Sequence, residues 1–525
     1  PCATTLRPTH SPKGFSMFTR SLLLGSTALV FTATSALADL KAQDVWMDWK
    51  DYIQGFGYTV QGSEATSGDT LTISGLKLSV PIPEQSGSVD LGMGEMSFSN
   101  LSDGTVEISL PDTFPITFDV VSGGETEVAG TLNYDTTDLS IIVSGSPDDM
   151  NYITTASTLD MSLADLMVEG KPLDIGTVAF NMTGLAGASN MKLGNIRNIM
   201  QSFSVDKLSY TLDINSPEEA DGLEAFKMIG ALNALSFNGT GAYPNAGGFD
   251  AQDVSAMLKA GFAFDGGFAY ADGSTTFEIT ESGGQTVGVS SSETGLLKVA
   301  MSEAGLHYGA EATGLKSNMT GTQVPFPIEL TAEKSALSLT MPISASENAQ
   351  DFGLTVQLAN FTTSEMLWAL FDPTGQLPRD PATLHLELSG KATLLFDMMD
   401  PESITGVETG AQNPGEVNSI DINALELTAA GASLTGTGAF EIDNSDTQTF
   451  SGMPKPVGAV DLKLVGGNGL IDKLVAMGLL PEDQAMGARM MMGLFTIPSG
   501  TPDTLTSKIE VNDQGHVLAT AQRPH

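Results

Sequence analysis

Apolar residues along this chain fall mostly at every second position, the period of a strand with one face covered. Leu71 and Ile73 alternate, Gly75 interrupts, and Leu76, Leu78 and Val80 resume one position out of phase. A bulge or bend at Gly75 accounts for that shift. Val106-Ile108-Leu110 and Phe114-Ile116-Phe118-Val120 follow, split by Pro111-Asp112, then Val128 to Tyr134 and Leu139 to Val143. Turn signals come about every ten residues, which predicts antiparallel meanders rather than βαβ units. Leu208, Tyr210, Leu212 and Ile214 make a further strand, as do Leu235 to Tyr243. Phe262-Ala263-Phe264, Asp265-Gly266-Gly267 and Phe268-Ala269-Tyr270 predict a hairpin with aromatics equidistant from its turn. Hairpins are expected through Thr276–Ile279, Val287–Val289, Leu296–Met301, Leu306–Ala310, Ile328–Thr331 and Leu337–Met341. Phe352–Leu358, Leu384–Phe396 and Ile420–Ile442 continue the pattern.

Shorter stretches carry helical spacing. Trp46, Trp49, Ile53 and Phe56 put one aromatic face on a helix over Asp44–Gly57. Asp44, Asp48 and Asp51 spoil the basic face of a membrane-surface helix, so packing across the end of a sheet is the better reading. Leu193 to Phe203 reads as helical. Ser216-Pro217-Glu218-Glu219 supplies cap, first-turn proline and acids for a helix presenting Leu223, Phe226, Ile229 and Leu232. Ala251–Ala260 and Thr363–Phe371 read as short helices, and Asn151–Gly170 is left open. Near the C-terminus, Val460, Leu462 and Leu464 form a strand, and Leu470 to Leu479 a helix. Pro481 opens a second helix, Leu505 to Val511 return to period two, and Asn512–Gly515 turns the chain into Val517–Ala521. Asn238–Tyr243 echoes Thr435–Phe440, a six-residue likeness that shared strand grammar explains as well as duplication does.

The ends point to export. Arg20, the apolar run Leu22–Phe31 and Ala36-Leu37-Ala38 read as a cleavable signal peptide starting at Met17, with cleavage after Ala38. That places the mature chain in the periplasm. The single cysteine, Cys2, lies upstream, which leaves the mature chain without disulfides or a thiol nucleophile. No later stretch holds about 18 uninterrupted apolar residues, so no transmembrane helix is expected. The chain carries 63 acidic and 23 basic residues, a net charge of -40. Arg7, Lys13 and Arg20 would leave with the leader, making the remainder still more acidic. This balance argues against nucleic acid and against electrostatic docking on anionic lipid.

A search for chemistry finds little. There is no G-x-S-x-G, phosphate loop, H-E-x-x-H or complete calcium loop. Asp443-Asn444-Ser445-Asp446 reads as a turn, and His307, His385 and His516 lack metal-ligand spacing. No catalytic, cofactor or metal residue is assigned. Methionine is conspicuous: Met486, Met490, Met491 and Met492 cluster on the second C-terminal helix. Packing into an irregular core is the plainer reading. The functional alternative makes Met486, Met490, Met491, Leu494 and Phe495 contacts for an apolar ligand at the mouth of a groove.

Several phrases carry a resemblance: Val45-Trp46 with Trp49, Ala260 to Gly267, Phe371-Asp372-Pro373 with Leu377 to Leu384, and Gly478-Leu479-Leu480-Pro481 through Met490-Met491, closing on Gly515–Ala519. Together they resemble an alphaproteobacterial family of exported proteins known as domain of unknown function 2125. The likeness implies a fold and a compartment, and no site. More loosely, the long hairpin meander resembles AsmA-like envelope proteins, which implies β-grooves that handle lipid.

The expectation is a mainly β (α+β) protein, an extended antiparallel meander or set of curved sheets with short apolar helices packed on or capping them. Residues 1-38 are the upstream segment and signal; 39-248, 249-403 and 404-525 are successive regions, with Pro401–Asn418 as a linker, and one continuous domain is the alternative. The expected function is non-enzymatic, with lipid or an envelope protein as partner through a hydrophobic β-groove. Scaffolding of envelope assembly is the alternative, ahead of a periplasmic hydrolase.

Overall fold

A computed structural model of the chain describes residues 40–82, 87–173, 175–215, 223–244, 253–322, 324–400, 403, 406 and 413–519. The leader, its cleavage site and Ser216–Glu219 lie outside them. The order begins α1 (Ala42–Gly55), β1 (Thr59–Ser67), β2 (Thr70–Ile82), β3 (Gly87–Gly92), β4 (Met96–Asn100), β5 (Val106–Ser109), β6 (Thr113–Ser122), β7 (Glu125–Thr137) and β8 (Ser140–Ser146). Long strands follow: β9 (Asp149–Val168), with the short β10 (Lys171–Pro172), then β11 (Gly176–Lys192), β12 (Ile196–Asn215) and β13 (Leu223–Pro244). After α2 (Val254–Lys259) come β14 (Ala263–Glu281), β15 (Gly284–Ser302), β16 (Gly305–Gly321), β17 (Val324–Met341) and β18 (Gln350–Thr363). The rest is α3 (Glu365–Trp368), β19 (Ala382–Leu394), β20 (Gly415–Ala429), β21 (Ala432–Asp443), β22 (Lys455–Val465), α4 (Gly467–Ala476), α5 (Glu482–Phe495), β23 (Ile497–Pro498), β24 (Thr504–Val511) and β25 (Val517–Ala519).

Among the described residues, all 25 strands join one sheet. The mainly β expectation holds, and so does the meander: from β11 to β22 each strand pairs antiparallel with the next. Strand length is what the turn signals misjudged. Asp265-Gly266-Gly267 lies inside β14 rather than at a hairpin tip. Glycine is needed there because a Cβ on Gly267 would come 2.7 Å from the Leu297 carbonyl oxygen, and one on Gly266 3.2 Å from the Phe237 ring. The two helices expected over Leu193–Phe203 and from Leu223 are also strand, in β12 and β13. In both stretches period two is present beside the helical spacing, and pairing on both edges selects it.

One feature recurs on strand after strand. The apolar face advances by two residues, then by three, then by two again. The three-residue step runs Ile73 to Leu76 on β2, Ala156 to Leu159 on β9, Val205 to Leu208 on β12 and Leu232 to Leu235 on β13. It recurs from Tyr270 to Gly273 on β14, Ala312 to Leu315 on β16, Ala332 to Ser335 on β17 and Leu358 to Phe361 on β18. The skipped pairs are rich in Gly, Asn and Asp, and Gly75, Gly184, Ala234, Asp272, Gly314 and Asn360 have positive φ. Registers align these slips: Thr183, Lys207, Asn233, Ala271, Thr294, Thr313, Lys334 and Ala359 pair in sequence. The sheet is therefore creased along one line. Between β2 and β9 the crease opens into a split, with β4, β5 and β8 on one side and β3, β6 and β7 on the other.

The most buried apolar cluster lies on the β4 side, under α1. Val45 and Trp46 pack with Leu71, Ile73, Phe98, Val106 and Tyr152. Trp49 stands edge-on to Phe98 at 5.5 Å and donates its indole N–H to the Tyr152 hydroxyl. The helix thus packs on the sheet, as its aromatic spacing predicts. It also brings Asp48 against Arg197 of β12 in a bidentate pair at 2.6 and 3.1 Å, both side chains nearly sealed from solvent. The Arg197 guanidinium lies 4.8 Å over the Tyr52 ring.

Two outcomes test this account. Gly75→Val forces a β-branched residue into φ +62°, with open space around the new Cβ, and should cost about 1–2 kcal/mol, whereas Gly75→Asn tolerates that conformation and should cost clearly less; urea denaturation reads both. Arg197→Met strands the Asp48 carboxylate and should cost about 3–5 kcal/mol, with much of the loss recovered in Asp48→Leu/Arg197→Met.

Candidate functional site

The crease bends towards the apolar side. Tyr270 and Gly273 flank the slip on β14, yet a Cβ on Gly273 would lie 2.6 Å from the Tyr270 ring and 3.2 Å from a Leu232 methyl. A cavity of about 530 Å³ is lined from both sides of the slip, by Tyr210, Leu232, Thr275 and Leu330 before it and by Tyr270, Ser335 and Leu358 after it. The inner face is a trough.

Its floor is apolar row after row. On the α1 side, Phe203, Phe237, Phe268, Leu297, Ala310, Leu337, Val356, Leu386 and Leu425 pair in succession across nine strands. The outward row beside it reads Ser204, Ser236, Ala269, Leu296, Glu311, Ala336, Gln357, His385 and Glu426, mostly polar. On the other side of the crease, Val80, Val89, Val120, Val128 and Val168 form a valine row. A closed core would bury such rows. Here Phe268 keeps 41% of its surface exposed, Leu337 43% and Leu339 37%. At strand spacings of about 4.8 Å, nine strands extend this open floor over roughly 40 Å.

Aromatic rings crowd the α1 end of the trough. Phe203, Phe237 and Phe268 stack at 4.8–6.1 Å between centroids. Tyr52, Phe56, Tyr243 and Phe262 form a second set edge to face. Between them lies a cavity of about 320 Å³ whose floor includes Gly239, Gly241 and Gly266. Burial, reinforced by Tyr243, pushes the Tyr52 phenol well above its usual range, so it stays neutral.

The five residues singled out for ligand contact all lie on α5. Met486, Met490, Met491, Leu494 and Phe495 are 40–63% exposed, so the plainer reading of them as core is corrected. Of α5 only Ala485 is fully buried. Its C-terminal carbonyl at Phe495 accepts a hydrogen bond from Ser507 at 2.5 Å, and α4 begins over Leu464 of the trough floor. None of the five lines the two cavities just described. The floor residues themselves were missed by sequence reading. The signal was the three-residue step, noticed at Gly75 and repeated on strand after strand.

The phrase Phe371 to Ala382 is a structural loop. Asp372 is buried and accepts the backbone N–H groups of Gln376 and Leu377 and a 2.6 Å hydrogen bond from Arg379. Arg379 in turn lies 4.5 Å over the Trp368 ring. Burial alone would raise the Asp372 carboxyl, but those donors outweigh it and hold the group down to about 2. Asp443 and Asp446 close a turn around Lys455 at 3.2 and 3.3 Å, as their spacing predicts. His307 bonds Thr340 and His385 faces Glu387. Among the described residues no group of three or more His, Cys, Asp or Glu is placed to hold a metal ion, and no helix is long and apolar enough to cross a membrane.

Fold and site define a class: a single antiparallel sheet creased into an open, apolar trough. The chain belongs to the family described as "Uncharacterized protein conserved in bacteria (DUF2125)", whose sequence model matches residues 252–520. No curated protein matches the chain. No solved structure matches it either.

The Asp372 loop makes a pH prediction. A carboxyl depressed in the folded state stabilises fully above its unfolded value, about 4, and that contribution is lost as pH falls through about 2. Asp372→Asn should therefore lower the melting temperature at neutral pH, and the gap to the parent should close as pH is taken from 5 towards 2.

Proposed function

We propose that this protein is an exported, non-enzymatic carrier that holds lipid acyl chains in its trough. The observation that carries the proposal is the half-exposed apolar floor. Leaving Phe268, Leu297, Leu337 and Leu339 in water costs free energy at about 25 cal/mol per Å². An occupant of matching chemistry removes that cost. Contiguous apolar surface on this scale marks an interaction site. The leader-like N-terminal segment supports export, and the strongly acidic net charge suits solubility in the periplasm.

The test is mass spectrometry of an organic extract of the protein purified natively from the periplasm. Near-stoichiometric lipid is expected, with none from a matched control protein. Leu297→Glu/Leu339→Glu, which places charge on the floor, should lose most of that lipid while circular dichroism stays unchanged. An empty extract from the parent protein would defeat the carrier reading and favour a scaffold in envelope assembly.

A further inference from the structure

We infer that the trough contains a headgroup station for uncharged, hydroxyl-bearing lipids, at the crease between β12 and β16. The inference rests on the carrier reading and deepens it. One row of the floor changes chemistry midway. It runs Phe114, Tyr134, Met161, Phe180, Tyr210, then Gly230, Thr275, Ser290 and Ser317, before returning to Leu330. Large side chains give way to glycine and hydroxyls over four adjacent strands, on a face that is mostly apolar.

The hydroxyls are organised as three pairs. Tyr210 Oη meets Thr275 Oγ1 at 2.5 Å, Tyr270 Oη meets Ser292 Oγ at 2.9 Å, and Ser290 Oγ meets Ser317 Oγ at 3.0 Å. Each O–H···O pair uses one hydrogen, so each keeps a second O–H and spare lone pairs for a ligand. The Tyr270–Ser292 pair reaches over the crease, because Tyr270 and Ser292 belong to opposite sides of the slip. Glycine keeps the station open: a Cβ on Gly295 would lie 2.1 Å from the Tyr270 ring. These groups line the cavity of about 530 Å³, and apolar Leu232, Leu330 and Phe361 border it.

The donor set selects the ligand. Hydroxyls that both donate and accept match sugar hydroxyls and ester carbonyls. Among the described residues, the only charged one lining the cavity, Lys316, is exposed and sits in an outward position on β16. A phosphate would enter without a buried cation to balance it, which costs far more than seating a neutral group. A glycosyl diacylglycerol fits: sugar at the hydroxyls, chains along the Leu and Phe rows.

Competition against an anthroyl-labelled stearic acid bound to the full-length protein tests this. Three competitors are compared: monoglucosyl dioleoylglycerol, dioleoylglycerol and dioleoylphosphatidylglycerol. The glucosyl lipid should displace the probe at about tenfold lower concentration than either other, the value of one or two net hydrogen bonds. In Ser290→Ala/Ser292→Ala/Ser317→Ala, its ratio to dioleoylglycerol should fall to about one. Equal competition by all three lipids in the parent protein overturns the station while the carrier reading stands. An undiminished ratio in the triple variant also overturns it. Failure of the probe to bind at all overturns both.

Discussion

The structure depends on keeping one backbone irregularity in register. A single bulge reverses which side chains face which way beyond it. On one strand that would bury polar groups and expose apolar ones. Repeated at matching positions from β2 to β18, it becomes a crease, and both halves of the sheet keep their apolar side inward. Where a slip takes a left-handed backbone, the residue is glycine, asparagine or aspartate, with Ala234 the exception. Sequence chemistry at those positions is thus what makes the trough.

Helices finish what the sheet leaves open. α1 covers the split end, and its Asp48–Arg197 pair fixes it to β12 across 149 residues of chain. At the strand ends near α2, Asp397 accepts the Ala345 N–H and the Ser255 hydroxyl and pairs with Lys259 at 2.6 Å. Burial works against that carboxylate, yet these partners keep it ionised and below its usual range. Asp503 caps α4 by accepting the N–H groups of Asn468 and Gly469, which places α4 and α5 beside the last strands. These polar fastenings sit near the ends of the strands.

That division of labour bears on function. The floor offers area and little direction, so it suits chains without selecting among them. Selectivity must come from the few places where the floor changes chemistry, and the hydroxyl row at the crease is the clearest. The outer face carries Lys298–Asp265, Lys334–Glu311 and His307–Thr340 across strands and His385 beside Glu387 along β19, the pattern of a solvated sheet surface.

The sequence alone determined strand character, the antiparallel meander, the aromatic helix α1, the C-terminal helix pair and the phase slip at Gly75. Each is a local signal: period, cap or turn chemistry within about a dozen residues. It could not determine strand length, because Asp265-Gly266-Gly267 has the chemistry of a hairpin turn and only close approach to Phe237 and Leu297 requires it in mid-strand. Nor could it separate helix from strand at Leu193 or Leu223, where both periods are present and pairing on two edges decides. The tertiary structure alone decided that the slips align, that the two apolar faces therefore meet, and that the methionines of α5 stand in solvent. These are matters of register between segments far apart in the chain, and no local pattern encodes register.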